Sequence, residues 1–391
     1  MKEEKLTVLF LSSWYPSRVM PTLGNFVQKH AEAVAIHSNV IALFACSDSG
    51  CKQPFEVVES TINNVYTVNV YYKKVEHSIP FIAQFQKLSR YLKAYKLGLE
   101  TVEKKARTID VIHHNILYPA GIIAWYLKKT KGIPYVVSEH WTGYLAYKKT
   151  KINAFQKWVS KVVARNADLV LPVSEDLENA MKQQGLSANY EIVYNVTDTR
   201  LFYPSGDKPA ERKIKFLHIS TLDDAHKNIS GMLEAVAALY TQRQDFEFWF
   251  VGDGDATPHI HTAKKLGIYN SVAFFDGTKT TQEVAELMRH SDCFVLFSNY
   301  ENLPCVLIEA MASGLPVISS WVGGIPEHIT EDFGLLVPPA DIQALVSALA
   351  EMLEAIRQKK YDKKLLNDYA RAYFSYESVS QRIHEVYRQV I

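Results

Sequence analysis

The stretch SNYENLPCVLIEAMASGLPVISSWVGGIPE, residues 298–327, places two glutamates eight positions apart around a nearly uncharged run. Proline is poor inside a helix and good in its first turn, so Pro304 predicts a helix that starts there. Glu301 then lies in the preceding loop, and Glu309 lies about one and a half turns into the helix. Taken alone, this spacing also fits two ordinary surface glutamates. Because the neighbours of Glu309 are apolar or small, we expect it at a buried edge, where a carboxylate needs partners.

The start of this helix is suited to bind a diphosphate. The first amides of a helix lack intrahelical partners and carry a partial positive charge. We expect Asn302, Leu303 and the first helical amides to donate to the phosphates. Glu309 would accept from ribose hydroxyls, and Glu301 would accept from hydroxyls of a sugar beyond the phosphates. This geometry fits a nucleotide-sugar.

Short apolar runs alternate with helical patterns on both sides of this stretch, which is typical of an α/β fold with a largely parallel sheet. The predicted strands of the first half are LTVLFLSS, NVIALFAC, VYTVNVYY, DVIHH, PYVVSEH, LVLPVS and EIVYNV. The pattern restarts at KIKFLHIS and continues through FEFWFVGDG, VAFFDG, CFVLFSN, PVISS and GLLVP. The polar segment 203–213 reads as the linker. The sequence therefore predicts one domain over residues 1–205 and a second over residues 206–375.

Length and composition agree with two domains of a globular protein. The chain has 391 residues, of which 48% are hydrophobic and 22% are charged. Its four cysteines show neither a disulfide framework nor a metal-ligand spacing, which fits a reducing compartment. The N-terminus lacks the pattern of a signal peptide, and no apolar stretch approaches the ~18 to 20 residues of a membrane span. We therefore expect a cytoplasmic protein.

The small net charge of +1 hides an asymmetry. Residues 1–205 carry 25 basic and 17 acidic residues, whereas residues 206–391 carry 18 and 25. The basic excess is densest over residues 73–165, which suggests an anionic partner for the first half, although a solvated lysine-rich surface fits equally. Within it, QKLSRYLKAYKLGLETVEKKAR predicts a basic amphipathic helix that can lie at an anionic membrane face. Its apolar positions are Leu88, Leu92, Tyr95 and Leu99.

Residues 298–327 resemble the retaining glycosyltransferases of family 4, which have the GT-B fold. The E-x7-E spacing, the helix EAMASGLPVI and the following GGIPE carry the resemblance, which extends over almost the whole chain. It implies an α/β architecture of two Rossmann-like parallel-sheet domains facing a central cleft. It also implies that residues 376–391 form a C-terminal helix that crosses back to the N-terminal domain.

The resemblance implies site roles for Gly24, Asn25, Asn115 and His140 of the first domain. Gly24 and Asn25 lie where the family's first loop meets the diphosphate and the acceptor. The family's strand ending in His-x-His matches DVIHHN, with His113 at the first position and Asn115 in place of the second histidine. His140 falls where the family has a histidine near the reacting centre of the donor sugar.

In the second domain, family members commonly bind the diphosphate with an arginine and a lysine. Lys227 matches the lysine, but Thr221 stands at the arginine position. Arg18 or Lys149 could supply the missing charge. The segment FFDGTKT matches the loop that usually meets the base, so Gly277 is a further donor-binding candidate.

The resemblance implies transfer of a sugar from a UDP- or GDP-sugar to a glycan or lipid-linked acceptor, with no metal ion and no nucleic acid partner. Glu301 and His140 are the implied catalytic residues, in polysaccharide or glycolipid assembly on the inner face of a membrane. The alternatives are a catalytically silent sugar-nucleotide-binding protein, or an epimerase or phosphorylase on the same fold. An NAD enzyme is disfavoured because the G-x-G-x-x-G spacing is absent.

Overall fold

The structure is a computed structural model that describes residues 5–74, 80–145, 152–206 and 212–391. The chain forms two units. The first comprises Met1–Val173, Glu178–Val193 and Tyr376–Ile391, and the second comprises Ser174–Leu177 and Tyr194–Ser375. Each unit contains one sheet, so the predicted α/β class with two mainly parallel sheets is confirmed.

Seven strands form the first sheet in the described part of the chain, in the order β3-β4-β2-β1-β5-β6-β7. Neighbouring strands are parallel except for β3 and β4, which are antiparallel. The central strands β5 and β6 are buried along their whole length, as expected for parallel strands covered on both faces. The strands are β1 (Thr7–Ser12), β2 (Asn39–Asp48), β3 (Phe55–Ile62), β4 (Val65–Lys73), β5 (Val111–Asn115), β6 (Tyr135–Glu139) and β7 (Leu169–Pro172).

Five α-helices accompany these strands in the described part of the chain: α1 (Asn25–Val34), α2 (Pro80–Lys105), α3 (Gly121–Lys131), α4 (Ala154–Asn166) and α5 (Glu175–Gln183). Parallel crossovers are right-handed in nearly all proteins, so their direction across the sheet decides the face on which a helix lies. The crossovers through α2, α3 and α4 all run toward β7, whereas the crossover through α1 runs toward β3. Therefore α2, α3 and α4 share one face of the sheet, and α1 covers the other.

The second sheet has six described strands, all parallel, in the order β10-β9-β8-β11-β12-β13. Stacked rings of Phe216, Phe248 and Phe250 fill its core, with centroids 5.9 and 4.6 Å apart. The strands are β8 (Ile214–Ser220), β9 (Phe246–Gly252), β10 (Ala273–Asp276), β11 (Cys293–Leu296), β12 (Val317–Ser320) and β13 (Gly334–Val337). The helices are α6 (Asp224–Lys227), α7 (Ile229–Tyr240), α8 (Thr257–Lys265), α9 (Thr281–His290), α10 (Cys305–Ala312), α11 (Ile342–Arg357) and α12 (Lys363–Phe374).

The last helix, α13 (Tyr376–Val390), belongs to the first unit and packs against α1. Its apolar stripe is buried there, and the Tyr387 hydroxyl hydrogen-bonds His113 Nδ1 at 2.6 Å. The Tyr376 hydroxyl donates to Glu32 of α1 at 2.9 Å. Side chains from both ends of α13 thus hold it in the first unit.

Two sequence-based predictions differ from the structure, and one strand was not predicted. The change of unit lies at Val193–Tyr194 and not at 205–206, because the Thr197 N–H donates to the Phe374 carbonyl oxygen at 2.8 Å and holds that segment in the second unit. The predicted strand EIVYNV is irregular. Strand β3 was not predicted, since six of its eight side chains are exposed, the other two are only half-buried, and it shows no hydrophobic period.

Candidate functional site

The predicted loop and helix after β11 are present. Pro304 is the N-cap of α10, so Glu301 lies in the loop and Glu309 is the fifth residue of the helix. Gly323 holds the loop from the side: its φ is 58°, and a Cβ added to it would lie 2.0 Å from the Glu301 carbonyl oxygen. Only glycine allows this approach, so the GG pair of GGIPE fixes the loop that carries Glu301.

A buried ion pair joins this loop to the segment after β8. The Lys227 ammonium contacts the Glu301 carboxylate, and the two residues are only 8% and 5% exposed. His226 Nε2 lies 3.5 Å from the same carboxylate and donates to the Tyr300 carbonyl oxygen at 2.9 Å. Because β8 and β11 are adjacent and parallel, the segments that follow them meet at the carboxyl edge of the sheet. Ligands of open α/β sheets bind at this edge.

This environment keeps Glu301 ionised. Burial alone would raise the pKa of the Glu301 carboxyl, but the nearby Lys227 and His226 outweigh burial and lower that pKa to about 2. A folded-state pKa below the ordinary value of 4.5 means that this carboxylate contributes stability above that pH. The contribution is lost as the pH falls toward 2.

Two consecutive helix caps position Lys227. The Asp223 side chain caps α6 by accepting from the Ala225 N–H at 3.2 Å. Asn228, with a φ of 52°, caps α7 by accepting from the Gly231 N–H at 3.2 Å. Lys227 is the last residue of α6, and the turn between the two helices therefore fixes its backbone beside Glu301.

The other predicted donor-binding residues of this segment are also buried. Asn302 and Glu309 are 6% and 7% exposed. The Asn302 carbonyl oxygen accepts from the Gly324 N–H at 2.9 Å, and the Leu303 carbonyl oxygen accepts from Asn195 Nδ2 at 2.6 Å. The structure thus places all three in the loop–helix segment that carries the ion pair.

Gly277 lies elsewhere in the second unit. It follows β10, the edge strand, which β9 and β8 separate from β11. A Cβ added to Gly277 would meet no atom within 4 Å, so packing does not require glycine there. The structure does not bring Gly277 to the Lys227–Glu301 pair, and its contact with the base stays a prediction.

Arg18 and Lys149 were the residues expected to supply the charge that Thr221 lacks. Arg18 is engaged by Asp48 at 2.7 Å and by Glu56 at 2.6 Å, both within the first unit. Lys149 lies outside the described residues. The structure instead places His226, which sequence reasoning missed, beside Lys227 and Glu301.

In the first unit, Gly24 precedes α1 with a φ of 73°, and a Cβ added to it would lie 2.6 Å from the Trp14 carbonyl group. Glycine is therefore required at position 24 because the Trp14 backbone approaches it closely. Sequence reasoning had instead explained this glycine by the approach of a ligand. Asn25 is the exposed first residue of α1. Both contacts with a substrate stay predictions.

Asn115 ends β5 and is fully buried. Its Oδ1 has no hydrogen-bond partner among the groups that the structure describes. His113, two residues earlier, is tied to Tyr387 and, through Nε2, to Ser138 Oγ at 2.7 Å. Burial lowers the pKa of His113 well below its usual value. His113 is thus a neutral structural residue, whereas Asn115 retains an unused polar atom.

His140 directly follows β6 and is 9% exposed. Its ring centroid lies 4.6 Å from that of Phe26 and 5.3 Å from that of His30, both in α1. Strands β1, β5 and β6 are adjacent, with Asn115 in register with Ser138. The four predicted residues of the first unit therefore gather at the carboxyl edge of its sheet.

Glu139, the neighbour of His140, is completely buried. Its carboxylate accepts from the backbone N–H groups of Leu117 at 3.0 Å and of His140 and Trp141 at 2.9 Å. Burial raises the pKa of this carboxyl to about 7 despite these donors. Glu139 therefore positions His140 through the backbone.

We expect the Glu139 carboxyl to lower the free energy of unfolding as the pH rises from about 4.5 to 7, because the folded state holds its proton more tightly than the unfolded chain does. The shift corresponds to roughly 3 kcal/mol. Urea unfolding at a series of pH values should show the free energy of unfolding of the wild type falling relative to that of Glu139→Gln over this range. Parallel pH profiles for the two proteins would contradict the assignment.

Glu327, at the end of GGIPE, is a second residue whose role sequence reasoning missed. Its two carboxylate oxygens accept from the backbone N–H groups of Glu175 and Asp176, both at 3.0 Å. These are the first two residues of α5, so Glu327 caps that helix. The only sequence signal for this capping role was the position of the glutamate directly after a proline in a glycine-rich turn.

Within residues 5–74, 80–145, 152–206 and 212–391, no group of three or more histidine, cysteine, aspartate or glutamate side chains could hold a metal ion. Nor does any helix in this part of the chain have the length and apolar character needed to cross a bilayer.

Two mainly parallel sheets in separate units, each with polar side chains after its strands, define the class of architecture: a two-domain α/β fold of the GT-B type. Residues 31–201 match the family model Glycosyltransferase Family 4, and residues 204–367 match the model Glycosyl transferases group 1. The chain belongs to the family 4 glycosyltransferases.

Individual relatives agree with this assignment. The uncharacterized glycosyltransferase MJ1178 of Methanocaldococcus jannaschii is 25% identical over 336 residues, which cover 83% of this chain and 88% of the relative. The amylovoran biosynthesis glycosyltransferase AmsK of Erwinia amylovora is 30% identical over 203 residues, 49% of each chain. Anabaena HepE, solved in complex with UDP, superimposes with a TM-score of 0.73 at 18% identity and covers 98% of this chain and 100% of its own.

Proposed function

We propose that this glycosyltransferase moves a sugar from a UDP-sugar to a hydroxyl group of a glycan or lipid-linked acceptor, with retention of anomeric configuration. The observation that carries the proposal is the buried Lys227–Glu301 pair at the carboxyl edge of the second sheet, next to the start of α10. A buried cation, a carboxylate and the N-terminus of a helix together match the phosphates and the sugar of such a donor.

Each group has one role in this proposal. Lys227 and the first amides of α10 stabilise the charge that develops on the departing diphosphate, without a metal ion, which is the largest catalytic contribution in such a site. Glu301 accepts hydrogen bonds from sugar hydroxyls, and Glu309 accepts them from the ribose. His140 lies near the anomeric carbon, and the leaving phosphate takes the proton of the acceptor hydroxyl.

UDP is the proposed nucleotide because HepE, a protein of the same fold, was solved with UDP. GDP is the alternative. An acceptor in polysaccharide assembly is proposed because AmsK, a partial relative, serves amylovoran biosynthesis. We place the reaction at the inner face of a membrane, where a lipid-linked acceptor is available.

The proposal is tested by a thermal-shift panel of nucleotides and nucleotide-sugars. Ligand at 100 times its dissociation constant stabilises the native state by about 2.7 kcal/mol, so the midpoint should rise by roughly 5 to 10 °C for UDP. GDP and ADP should shift the midpoint less. Equal shifts for all nucleotides, or none, would contradict a UDP site.

Glu309→Ala should weaken UDP binding by roughly 10- to 150-fold, since loss of a charge-assisted hydrogen bond costs about 1.5 to 3 kcal/mol. Titration calorimetry measures this directly, and Glu309→Gln should be intermediate because its oxygen still accepts. Glu234→Ala, an exposed glutamate of α7 in the same unit, is the matched control. Unchanged affinity in both Glu309 variants would remove the ribose assignment.

A further inference from the structure

Helices α2, α3 and α4 form one layer on one face of the first sheet. The Lys131–Glu103 ion pair joins α3 to α2, and α3 packs against α4. Each of the three helices follows a parallel strand, so each begins at the carboxyl edge of the sheet. Asn115 and His140 lie at this same edge.

The first turns of α2 expose a stripe of large apolar side chains. Of the described side chains from Ile82 to Ser89, only Ala83 is buried. Phe85 is 68% exposed, and the stripe recurs at helical spacing through Ile82, Phe85, Leu88 and Leu92. An apolar stripe of this length in water marks a surface that binds something.

This stripe corrects the one expected from sequence. Tyr95 was assigned to the outward face, but it is 1% exposed and its hydroxyl donates to the Ser12 carbonyl oxygen at 2.8 Å. Leu99 is half-buried. The apolar residues that face solvent therefore lie earlier in α2, on the part of the helix that begins at the carboxyl edge.

Helix α4 adds an aromatic pair that sequence reasoning did not single out. Phe155 and Trp158 are 54% and 55% exposed, and their rings stack with centroids 6.1 Å apart. Tyr126 of α3, the helix between α2 and α4, is also 59% exposed. Tryptophan and tyrosine favour interfaces that are apolar on one side and wet on the other.

The same three helices are strongly basic. They carry twelve lysines and arginines against two acids, Glu100 and Glu103, and both acids lie on α2. Lys131 pairs with Glu103, and Lys128 pairs with Asp168. The remaining basic residues make no ion pair with other described residues; they are Lys87, Arg90, Lys93, Lys96, Lys104, Lys105, Lys129, Lys157, Lys161 and Arg165.

We propose that this surface, the aromatic–basic face, docks on an anionic lipid membrane. It consists of Ile82, Phe85, Leu88, Leu92, Tyr126, Phe155 and Trp158 with the lysines and arginines of α2, α3 and α4 around them. Aromatic side chains enter the headgroup region while lysines attract anionic lipid. A second copy of the chain is a poorer occupant, because two such faces would repel each other.

This inference rests on the proposed function in one respect. The lipid-linked acceptor is part of that function, and docking would bring the carboxyl edge of the first sheet to it. The two can fail separately. Vesicle binding needs neither UDP nor turnover, and UDP binding in solution needs no vesicle.

The test is co-sedimentation of the full chain with phosphatidylcholine vesicles and with vesicles that also contain phosphatidylglycerol. Binding should require phosphatidylglycerol and fall steeply as salt rises. Each lysine near the surface contributes about 1 kcal/mol, or roughly fivefold in partitioning, so Lys87→Glu with Lys157→Glu should reduce binding by at least about 25-fold. Phe85→Ser with Trp158→Ser should reduce it at least about tenfold.

Matched controls lie in the second unit. Leu365→Ser removes a side chain as exposed as Leu88, at 47% and 46%, and Lys265→Glu reverses an exposed charge on α8. Both should bind vesicles like the wild type. Brominated lipids should quench tryptophan fluorescence in the wild type and less in Trp158→Phe, which still binds.

The proposal is overturned if the wild type sediments equally with neutral and anionic vesicles or with neither. It is also overturned if the controls reduce binding as much as the face variants. Analytical ultracentrifugation without lipid tests whether the face binds a second copy of this chain instead. A wild-type dimer that Phe85→Ser dissociates would assign the face to that second copy and overturn the proposal. Thermal melts of each variant show that lost binding is not lost folding.

Discussion

Glu301→Ala should lower kcat by roughly 10- to 150-fold while UDP affinity falls by less than about tenfold. The proposed role of this carboxylate is to accept hydrogen bonds from the donor sugar, and loss of such a charge-assisted bond costs about 1.5 to 3 kcal/mol. UDP carries no sugar beyond its phosphates, so its binding should depend mainly on Lys227 and α10. Steady-state kinetics with the preferred UDP-sugar and calorimetry with UDP separate the two effects.

The same substitution should also destabilise the protein by about 3 to 5 kcal/mol, because it leaves the buried Lys227 ammonium without its counter-ion. Lys227→Met in the Glu301→Gln background removes both charges and should recover much of the stability but not the activity. A double-mutant cycle with the single variants measures the coupling. Wild-type turnover in Glu301→Ala would remove the catalytic role, and additive stability changes would remove the role of the ion pair in stability.

Removal of α13 by truncation after Ser375 should destabilise the first unit more than the second. The helix buries Val379, Ile383, Val386 and Tyr387 against the first unit, although it follows the second unit along the chain. Tyr387→Ala alone should cost about 3 to 5 kcal/mol, since it leaves a cavity and deprives His113 Nδ1 of its hydrogen-bond partner.

Native-state hydrogen exchange measures this unit by unit. Amides of β1, β5 and β6 should lose protection in the truncated chain, while those of β8 and β11 should keep most of theirs. Gln389→Ala, an exposed position on the same helix, should leave both sets unchanged. Full protection of β5 in the truncated chain would contradict the role of α13.

The elements that were predictable from sequence are those whose burial produces an apolar run or a regular spacing of apolar residues. Buried parallel strands such as β1 and β5 read as short apolar runs, and Pro304 fixed the start of α10 by backbone chemistry alone. Strand β3 leaves no period, because its hydrogen bonds to β4 form the sheet edge while its side chains remain mostly in solvent.

The candidate site was predictable residue by residue but not as a set of contacts. Lys227 and Glu301 are 74 positions apart, and nothing local to either residue indicates that they form an ion pair. His226 carries no motif signal and gains its place only from the turn between α6 and α7. Gly24 was recognised as special, yet the reason is the Trp14 backbone, which only the folded structure shows.

The position of α13 also constrains the order in which the protein can mature on the ribosome. Residues Tyr194–Ser375, 182 in all, are translated between the bulk of the first unit and the helix that covers α1. At 5 to 20 residues per second, the nascent first unit waits about 10 to 40 s with that side uncovered. The chain truncated after Ser375 has the same residues as this synthesis intermediate, and the apolar side chains that α13 covers would be open to a chaperone in both.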